Sequence, residues 1–426
     1  MTTSDPRRAI EAVWRIESPR LIAGLARIVR DVGVAEDLAQ DALVAALQQW
    51  PESGVPDNPG AWLMAIGKRR AFDHFRRASM AERKHEELGR GLQVEQETAV
   101  PDLEDAIDGF GDDLLRLMFV ACHPVLSTDA RVALTLRLLG GLTTEEIARA
   151  FLAPEPTVAQ RIVRAKRTLS EAHVPFEVPE GADRAARLSS VLEVIYLVFN
   201  EGYSATAGED WVRPALCEDA LRLGRVLAGL APDEPEVHGL VALMELQASR
   251  LRARTGRAGE PILLLDQDRA RWDHLLIRRG LAALDRAEEL GGAMGPYSLQ
   301  AAIAACHARA GRAEETDWFR IVALYDALAE IAPSPVVELN RAVAVGMAFG
   351  PAAALELVDA LVSEASLAGY HLLPSVRGDL LAKLGRYEEA EREFARAASL
   401  TRNERERTLL LERAASCARE SGQPQP

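Results

Sequence analysis

The sequence predicts an all-α protein, and three observations lead to that prediction. Apolar residues recur with a period near 3.6 almost from end to end, and no segment alternates as a half-buried strand would. Alanine and leucine supply most of the 48% hydrophobic class, whereas aromatic residues make up only 5%. This composition is typical of helices that pack closely through small residues. A length of 426 residues indicates roughly three domains.

Composition also narrows the class of protein. No run of about 18 apolar residues is present, and the charged start MTTSDPRRAIEAVWRIE lacks the apolar centre of a signal peptide. The four widely separated cysteines (Cys122, Cys217, Cys306 and Cys417) do not form a disulfide framework, so we expect a reduced, cytoplasmic protein. The formal net charge of −14 argues against a nucleic-acid binder only if the charge is evenly spread.

Three breaks in the helical pattern divide the chain. They are an acidic stretch at 81–113, the sequence VPFEVPEG at 174–181 and the loop RTGRAGEP at 254–261. We therefore expect a helical domain at 1–80, an acidic linker at 81–111, a second helical domain at 112–175 and a large helical region at 182–426. Glycine turns in the last region recur after 39 and then 35 residues, near the tetratricopeptide period of about 34. An ordinary helical bundle is the alternative.

A helix-turn-helix is predicted between residues 142 and 170. LTTEEIARAF opens with Thr143 or Thr144 as a capping residue and Glu146 in the reciprocal position, LAPEP forms a turn, and TVAQRIVRAKRTLS is a basic amphipathic helix. The second helix of such a motif enters the major groove. We expect the side chains of Thr157, Gln160 and Arg161 to lie nearest the bases. We expect those of Arg164, Lys166 and Arg167 to lie near the phosphates. A solvated basic face is the alternative.

A second basic cluster, KRRAFDHFRR at 68–77, interleaves Phe72 and Phe75 with cations and follows Trp62. Aromatic rings beside cations suit melted nucleic acid, since rings stack on splayed bases and cations hold phosphates. An amphipathic helix with its aromatics in the core is the alternative. We expect Ile66 and Phe72 to pack inward and four cations to face outward, namely Lys68, Arg69, Arg76 and Arg77. Upstream, the helix at 31–50 has an acidic edge formed by Glu36, Asp37, Gln40 and Asp41. Such an edge suits a basic partner protein, and a solvated face is the alternative.

In this order the segments resemble the sigma-70 family of bacterial RNA polymerase specificity subunits. The resemblance covers about residues 7–175 and is to the extracytoplasmic-function form, which keeps only regions 2 and 4. It implies region 2 at 1–80, region 4 at 112–175, and core RNA polymerase (its β′ and β subunits) and promoter DNA as partners. The residues implied for docking on polymerase are Asp37, Leu38, Gln40, Asp41 and Trp50. Those implied for the −10 element are Asn58, Trp62, Lys68, Arg69, Arg70, Asp73, Arg76 and Arg77, and the helix-turn-helix is implied to read the −35 element. The sequence departs from the family at Gly67-Lys68-Arg69-Arg70, where Ala-Arg-Asn-Arg is usual, and at Ala159, where many relatives have lysine.

The C-terminal half is similar to a subgroup with a long tetratricopeptide-like extension, through SSVLEVIYLVFNEGYSAT (189–206) and LLLDQDRARWD (263–273). Such extensions are thought to replace or supplement a separate anti-sigma protein. Dense polar groups in these segments are interpreted first as a structural ion-pair network, because alternating acids and arginines satisfy each other, and a partner or ligand site is the alternative. They are Asn200, Glu201, Tyr203, Asp266, Asp268, Arg269, Arg271, Trp272 and Asp273.

An enzyme is the least supported class. The sequence has no nucleophile–base pair, phosphate loop or set of metal-spaced ligands, and Cys122-His123-Pro124 offers only two adjacent ligands. We therefore expect no catalysis, cofactor or metal. The sequence predicts a promoter-specificity factor regulated by its extension, either by covering the DNA-binding surfaces or by a required positive contact. A DNA-tethered helical-repeat scaffold or ligand sensor is the alternative.

Overall fold

The computed structural model describes residues 6–86, 110–257 and 259–421, and these ranges are mainly helical, as predicted. The helices of the N-terminal half are α1 (Pro6–Val29), α2 (Val32–Ser53), α3 (Pro59–Glu86), α4 (Phe110–Ala121), α5 (Thr128–Leu138), α6 (Thr144–Ala150), α7 (Glu155–Glu171) and α8 (Gly181–Tyr203). Those of the C-terminal half are α9 (Pro214–Leu230), α10 (Pro235–Ala248), α11 (His274–Glu289), α12 (Pro296–Arg309), α13 (Trp318–Ile331), α14 (Pro335–Phe349), α15 (Pro351–Leu361), α16 (Leu372–Lys383), α17 (Tyr387–Leu400) and α18 (Glu404–Ser421). Two short strands, β1 (Ala207–Gly208) and β2 (Arg402–Asn403), pair in parallel.

The chain forms two compact units that divide between Ile195 and Tyr196, within α8. The predicted domains at 1–80 and 112–175 thus belong to one unit, and the extension predicted to begin at 182 contributes its first residues to that unit. Helix α3 continues to Glu86, past the predicted start of the acidic linker. Most of that linker, 87–109, lies outside the described residues.

Helix α1 organises the start of the first unit by packing on α2, α3 and α4. Its buried Leu21 and Leu25 lie against Gly67 of α3. A methyl group built on Gly67 would lie 2.9 Å from Leu25 Cδ1, closer than carbon atoms normally approach. Glycine at this position therefore lets α1 and α3 pack closely and fixes which face of α3 points outward.

The first part of α8 completes the first unit. The Ser190 hydroxyl donates to the Cys122 carbonyl at 2.7 Å, and Arg131 of α5 pairs with Glu193 at 3.0 Å. The contacts tie α8 to the end of α4 and to α5, and α5 in turn packs on the two helices of the predicted helix-turn-helix, α6 and α7. The part of α8 up to Ile195 is therefore a structural element of the first unit.

The second unit is a succession of helices in which each packs on the next, from α12 to α18. This is the arrangement that a tetratricopeptide-like pattern predicts. Phe394 of α17 is buried against Gly378 of α16, where a methyl group added to the glycine would lie 3.1 Å from the ring. Asn403 on β2 donates to the Ala205 and Asp210 carbonyls at 3.0 and 2.8 Å, which joins the two ends of the unit. In the ranges described above, no helix is long and apolar enough to cross a bilayer.

Candidate nucleic-acid interface

Helices α6 and α7 form the predicted helix-turn-helix. Thr143 caps α6 by accepting a hydrogen bond from the Glu146 N–H at 3.1 Å, and the Glu146 carboxylate accepts from the Thr143 N–H at 2.7 Å. In the turn, Leu152 has a φ of +48°, a left-handed conformation uncommon for a leucine. Pro156 stands in the first turn of α7, which thus begins at Glu155, within the segment LAPEP predicted as the turn. These local features set the angle at which α7 leaves α6.

Helix α7 has a buried face and a polar outer face. Val158, Ile162, Ala165 and Leu169 are buried. Six side chains were predicted to meet DNA. Four of them are exposed, namely Thr157, Gln160, Arg164 and Arg167. The other two, Arg161 and Lys166, are half-buried. The exposed four lie along the surface of the helix that a groove would meet.

The cations of α7 have acidic neighbours in the first unit. Arg161 pairs with Asp129 at 3.0 Å, and Arg167 pairs with Glu171 at 2.6 Å. The carboxylates of these two pairs are well exposed, so the ion pairs contribute little stability and exchange readily for phosphate. Both guanidinium groups could therefore exchange these carboxylates for DNA, which is compatible with the predicted places of Arg161 near the bases and of Arg167 near the phosphates.

Lys166 has a different environment from the other cations. Its ammonium pairs with Glu36, whose carboxylate also accepts from Arg137 Nε at 2.6 Å and Gln40 Nε2 at 2.7 Å. Glu36 is 3% exposed, so its predicted place on an exposed acidic edge is wrong. Because the Lys166 ammonium is already paired with a buried carboxylate, its position does not fit the predicted phosphate contact.

The Glu36 carboxylate joins α2, α5 and α7. Burial raises its pKa, but the attraction and hydrogen bonds of Lys166 and Arg137 outweigh burial, so the pKa lies below its usual value of 4.5. Glu36 is therefore charged at neutral pH and fixes the position of α7 against α2.

Helix α3 carries exposed cations and aromatic rings together. Phe72 and Phe75 are 46% and 41% exposed, so the prediction that Phe72 packs inward is wrong. Leu63, Gly67 and Ala71 form the buried face instead, and Ile66 is half-buried. The predicted −10 cations that are exposed are Arg69, Arg70, Arg76 and Arg77, whereas Lys68 and Asp73 are half-buried. Two open rings thus lie among four guanidinium groups.

Trp62 and Asn58 stabilise the start of α3. The Trp62 ring makes an edge-to-face contact with Trp50, with centroids 5.2 Å apart. Asn58 Oδ1 accepts from the Ala61 N–H at 3.0 Å and thereby caps the helix. The Asn58 side chain is exposed and stands one residue before α3 begins.

The residues implied for polymerase docking separate into two groups. Asp37 and Asp41 are exposed on α2, and Gln40 is half-buried. Leu38 and Trp50 are 6% and 3% exposed, which does not fit a direct contact with a partner. Their side chains instead hold α2 in the core of the unit.

The polar residues singled out in the second unit do not form one network. Buried Glu201 pairs with Arg213 at 2.6 Å, and burial raises its pKa despite that partner. Asp268 caps the turn at Arg269–Arg271, and Asp273 caps α11 by accepting from the Leu275 and Leu276 N–H groups. Asp266 and Arg271 are exposed, and Asn200 is half-buried.

Arg269 does not pair with the neighbouring aspartates. It donates to the His307 and Ala310 carbonyls, each at 2.6 Å. Its guanidinium also lies over the Trp272 ring, 4.8 Å from the ring centre. Tyr203 contacts Arg250 and Arg254, and Trp272 also contacts Arg250; sequence reasoning missed both of these arginines. The arginine-rich stretch SRLRART at 249–255 was the available signal.

Cys122 is a buried core cysteine. Its thiol lies 3.3 Å from the Thr135 hydroxyl, and burial raises its pKa to about 12. His123 Nδ1 accepts from the Val125 N–H at 3.1 Å. Within the described part of the chain, no three histidine, cysteine or acidic side chains are grouped as metal ligands.

Comparison with protein-family models gives three matches. Residues 14–80 match Sigma-70 region 2, residues 116–169 match Sigma-70 region 4, and residues 187–288 match a family of unknown function (DUF6596). The region 2 match covers α2 and most of α3, and the region 4 match covers the helix-turn-helix.

Comparison with curated proteins gives relatives of two kinds. An uncharacterised protein of Rhizobium meliloti (strain 1021) is 46% identical over 395 residues, 92% of each chain. A probable RNA polymerase sigma-C factor of Mycobacterium bovis is 30% identical over 139 residues, 33% of this chain and 70% of the relative. The probable ECF RNA polymerase sigma factor SigI of Mycobacterium tuberculosis is 27% identical over 184 residues, 43% of this chain and 61% of the relative. No solved structure matches the chain.

Proposed function

The chain belongs to the sigma-70 family of RNA polymerase specificity subunits, in its extracytoplasmic-function form with a C-terminal extension, and from this we propose that its helices α7 and α3 select promoters. As a sigma factor it binds core polymerase and promoter DNA and is not an enzyme. The observation that carries the proposal is the presence of two exposed cationic surfaces, on α3 and α7, in one compact unit. The protein acts in the cytoplasm, with the polymerase.

Helix α7 reads the −35 element. Its exposed Thr157 and Gln160 stand at the start of the helix, where a recognition helix meets base edges. Arg161 follows them and is proposed to join the base contacts once it leaves the exposed Asp129. Arg164 and Arg167 lie further along the helix and suit phosphate contacts, since the ion pair of Arg167 involves an exposed carboxylate. Lys166 joins this set only after it leaves Glu36.

Helix α3 opens the −10 element. Exposed Phe72 and Phe75 offer faces on which unpaired bases stack, and Arg69, Arg76 and Arg77 neutralise the adjoining backbone. A duplex hides its base faces, so exposed rings favour the melted form. Asn58 and Trp62 position the start of the same helix.

The acidic edge of α2 docks on core polymerase. Asp37 and Asp41 are exposed and one helical turn apart, so both point to the same side. Buried Leu38 and Trp50 act indirectly, by holding the helix in place.

The extension regulates promoter output, and a truncation tests this. The cut belongs after Ile195, because Ser190 and Glu193 of α8 bond to Cys122 and Arg131 of the first unit. We expect chain 1–195 to differ several-fold from the full chain in reconstituted transcription. A rise indicates inhibition by the extension, a fall indicates a required positive contact, and equal output contradicts regulation.

A second truncation controls for damage to the first unit. Chain 1–181 lacks the Ser190 and Glu193 contacts, so we expect it to unfold at a lower denaturant concentration than chain 1–195. Comparing the two by circular dichroism separates loss of regulation from loss of folding.

A further inference from the structure

Arginines and aromatic rings alternate inside the second unit. Arg254 Cζ lies 3.9 Å from the centre of the Tyr203 ring and 5.3 Å from that of Trp211. Arg250 Cζ lies 5.7 Å from the Tyr203 ring and 5.9 Å from the Trp272 ring. Residues from α8, the loop before α9, the segment after α10 and the turn before α11 thus converge. We call this set the arginine–aromatic cluster: Tyr203, Trp211, Arg250, Arg254 and Trp272.

The positive charge of the cluster is not balanced by an acid. Arg250 is only 7% exposed, and neither it nor Arg254 forms an ion pair with a carboxylate in the described ranges. The buried acid nearest in sequence to the ring of Tyr203, Glu201, is paired with Arg213. Burial lowers the pKa of Arg250, and the positive charge of Arg254 lowers it further. Two buried or half-buried guanidinium groups side by side are unfavourable without a counter-charge.

Several buried polar atoms at the cluster also have no hydrogen-bond partner among the described residues. They include Arg250 Nε, Arg254 Nε and the indole Nε1 atoms of Trp211 and Trp272. Trp272 is only 4% exposed. All four are N–H donors, and buried donors in folded proteins normally have acceptors. A concentration of unpartnered donors suits a ligand that carries acceptor oxygens.

His307 lies near the guanidinium groups of Arg250 and of Arg269, and Arg269 Cζ lies 4.8 Å from the centre of the Trp272 ring. Burial, with the charges of Arg250 and Arg269, lowers its pKa to about 3. It is therefore neutral at physiological pH and adds no second repulsive charge. Its Nδ1 atom is buried and unpartnered within the described part of the chain.

We propose that Arg250 and Arg254 bind a small anionic ligand through its carboxylate or phosphate group, between the rings of Tyr203, Trp211 and Trp272. The guanidinium groups neutralise the anion, the indole N–H groups donate to its oxygens, and the rings enclose its body. This inference deepens the proposed regulation, because it makes an anionic metabolite the input that the extension senses. A purely structural stack of cations on rings is the competing explanation.

Calorimetric titration of the full chain with inorganic phosphate and with benzoate, at constant ionic strength, tests the site. We expect at least one probe to bind, and Arg250→Met to weaken that binding at least tenfold. Arg252→Met is the matched control, since Arg252 is exposed in the same short turn and should leave binding unchanged. Binding of phosphate alone indicates a phosphoryl ligand, and binding of benzoate alone indicates an aromatic carboxylate.

Thermal unfolding separates the ligand site from a structural stack. Without a probe, Arg250→Met should unfold no lower than the unsubstituted chain, because it removes an uncompensated buried charge. At ten times its Kd, a probe should raise the Tm of the unsubstituted chain by roughly 3–6 °C, with a smaller rise for Arg250→Met. If Arg250→Met does not fold, Arg254→Met replaces it, with the same loss of binding expected.

Two results overturn the proposal: neither probe binds, or both arginine variants bind the probes as tightly as the unsubstituted chain. Neither measurement involves polymerase or DNA. A failure here therefore leaves the proposed promoter selection intact, and a failure of transcription leaves this site intact.

Discussion

Replacing Arg161 and Arg164 together with alanine is expected to reduce transcription from a dependent promoter by about 100-fold or more. Each arginine lies toward the outer side of α7, where a duplex would meet it, and each lost contact weakens binding. Stability should change little, because the ion pair of Arg161 is with the well-exposed Asp129. Reconstituted transcription measures the loss, and pull-down of core polymerase should show unchanged binding.

A matched substitution in the extension controls for total charge. Arg392→Ala removes an exposed cation from α17, far along the chain from α7, and should leave promoter output unchanged. Unchanged transcription by the Arg161/Arg164 variant would show that α7 does not read the −35 element.

Glu36→Gln is expected to lower the free energy of unfolding of the first unit by about 3 kcal/mol or more. The substitution leaves Lys166 and Arg137 without their buried counter-charge, and such breaks are costly. Denaturant unfolding followed by circular dichroism measures the change. Glu145→Gln is the control, because its pair with Arg149 is exposed and contributes less than about 1 kcal/mol.

The same carboxylate predicts a pH dependence. The folded-state pKa of Glu36 lies below 4.5, so its stabilisation is complete above that value and is lost as pH falls through the folded pKa. The unsubstituted chain should therefore lose more stability on acidification than Glu36→Gln does. Parallel acid titrations of the two proteins would refute the role of the ion pairs.

The helices and the helix-turn-helix were predictable because their signals are local. The capping pair Thr143 and Glu146 stands three residues apart, and the apolar stripe of α7 has the helical period. Which face of α3 is buried was harder to predict from the sequence. An aromatic side chain favours burial on average, but close packing at Gly67 sets the buried face and leaves Phe72 outside.

The ion pairs of Glu36 and the arginine–aromatic cluster could not be predicted, because the residues that form them are distant in sequence. Arg137 lies 101 residues from Glu36, and nothing near Glu36 distinguishes it from the exposed Asp37. Likewise, Tyr203 and Arg250 come together only through the packing of the second unit. The domain boundary differed for the same reason: α8 begins after a proline-rich break, yet its Ser190 and Glu193 bond to Cys122, at the end of α4, and to Arg131 of α5.

Mapping of transcription starts tests promoter selection by this chain most directly. Core polymerase from the encoding bacterium would transcribe its genomic DNA in vitro, with and without the full chain, and RNA 5′ ends would be sequenced. We expect new start sites that appear only with the chain and share common −10 and −35 sequences. Start sites identical to those of core polymerase alone would contradict promoter selection by the chain.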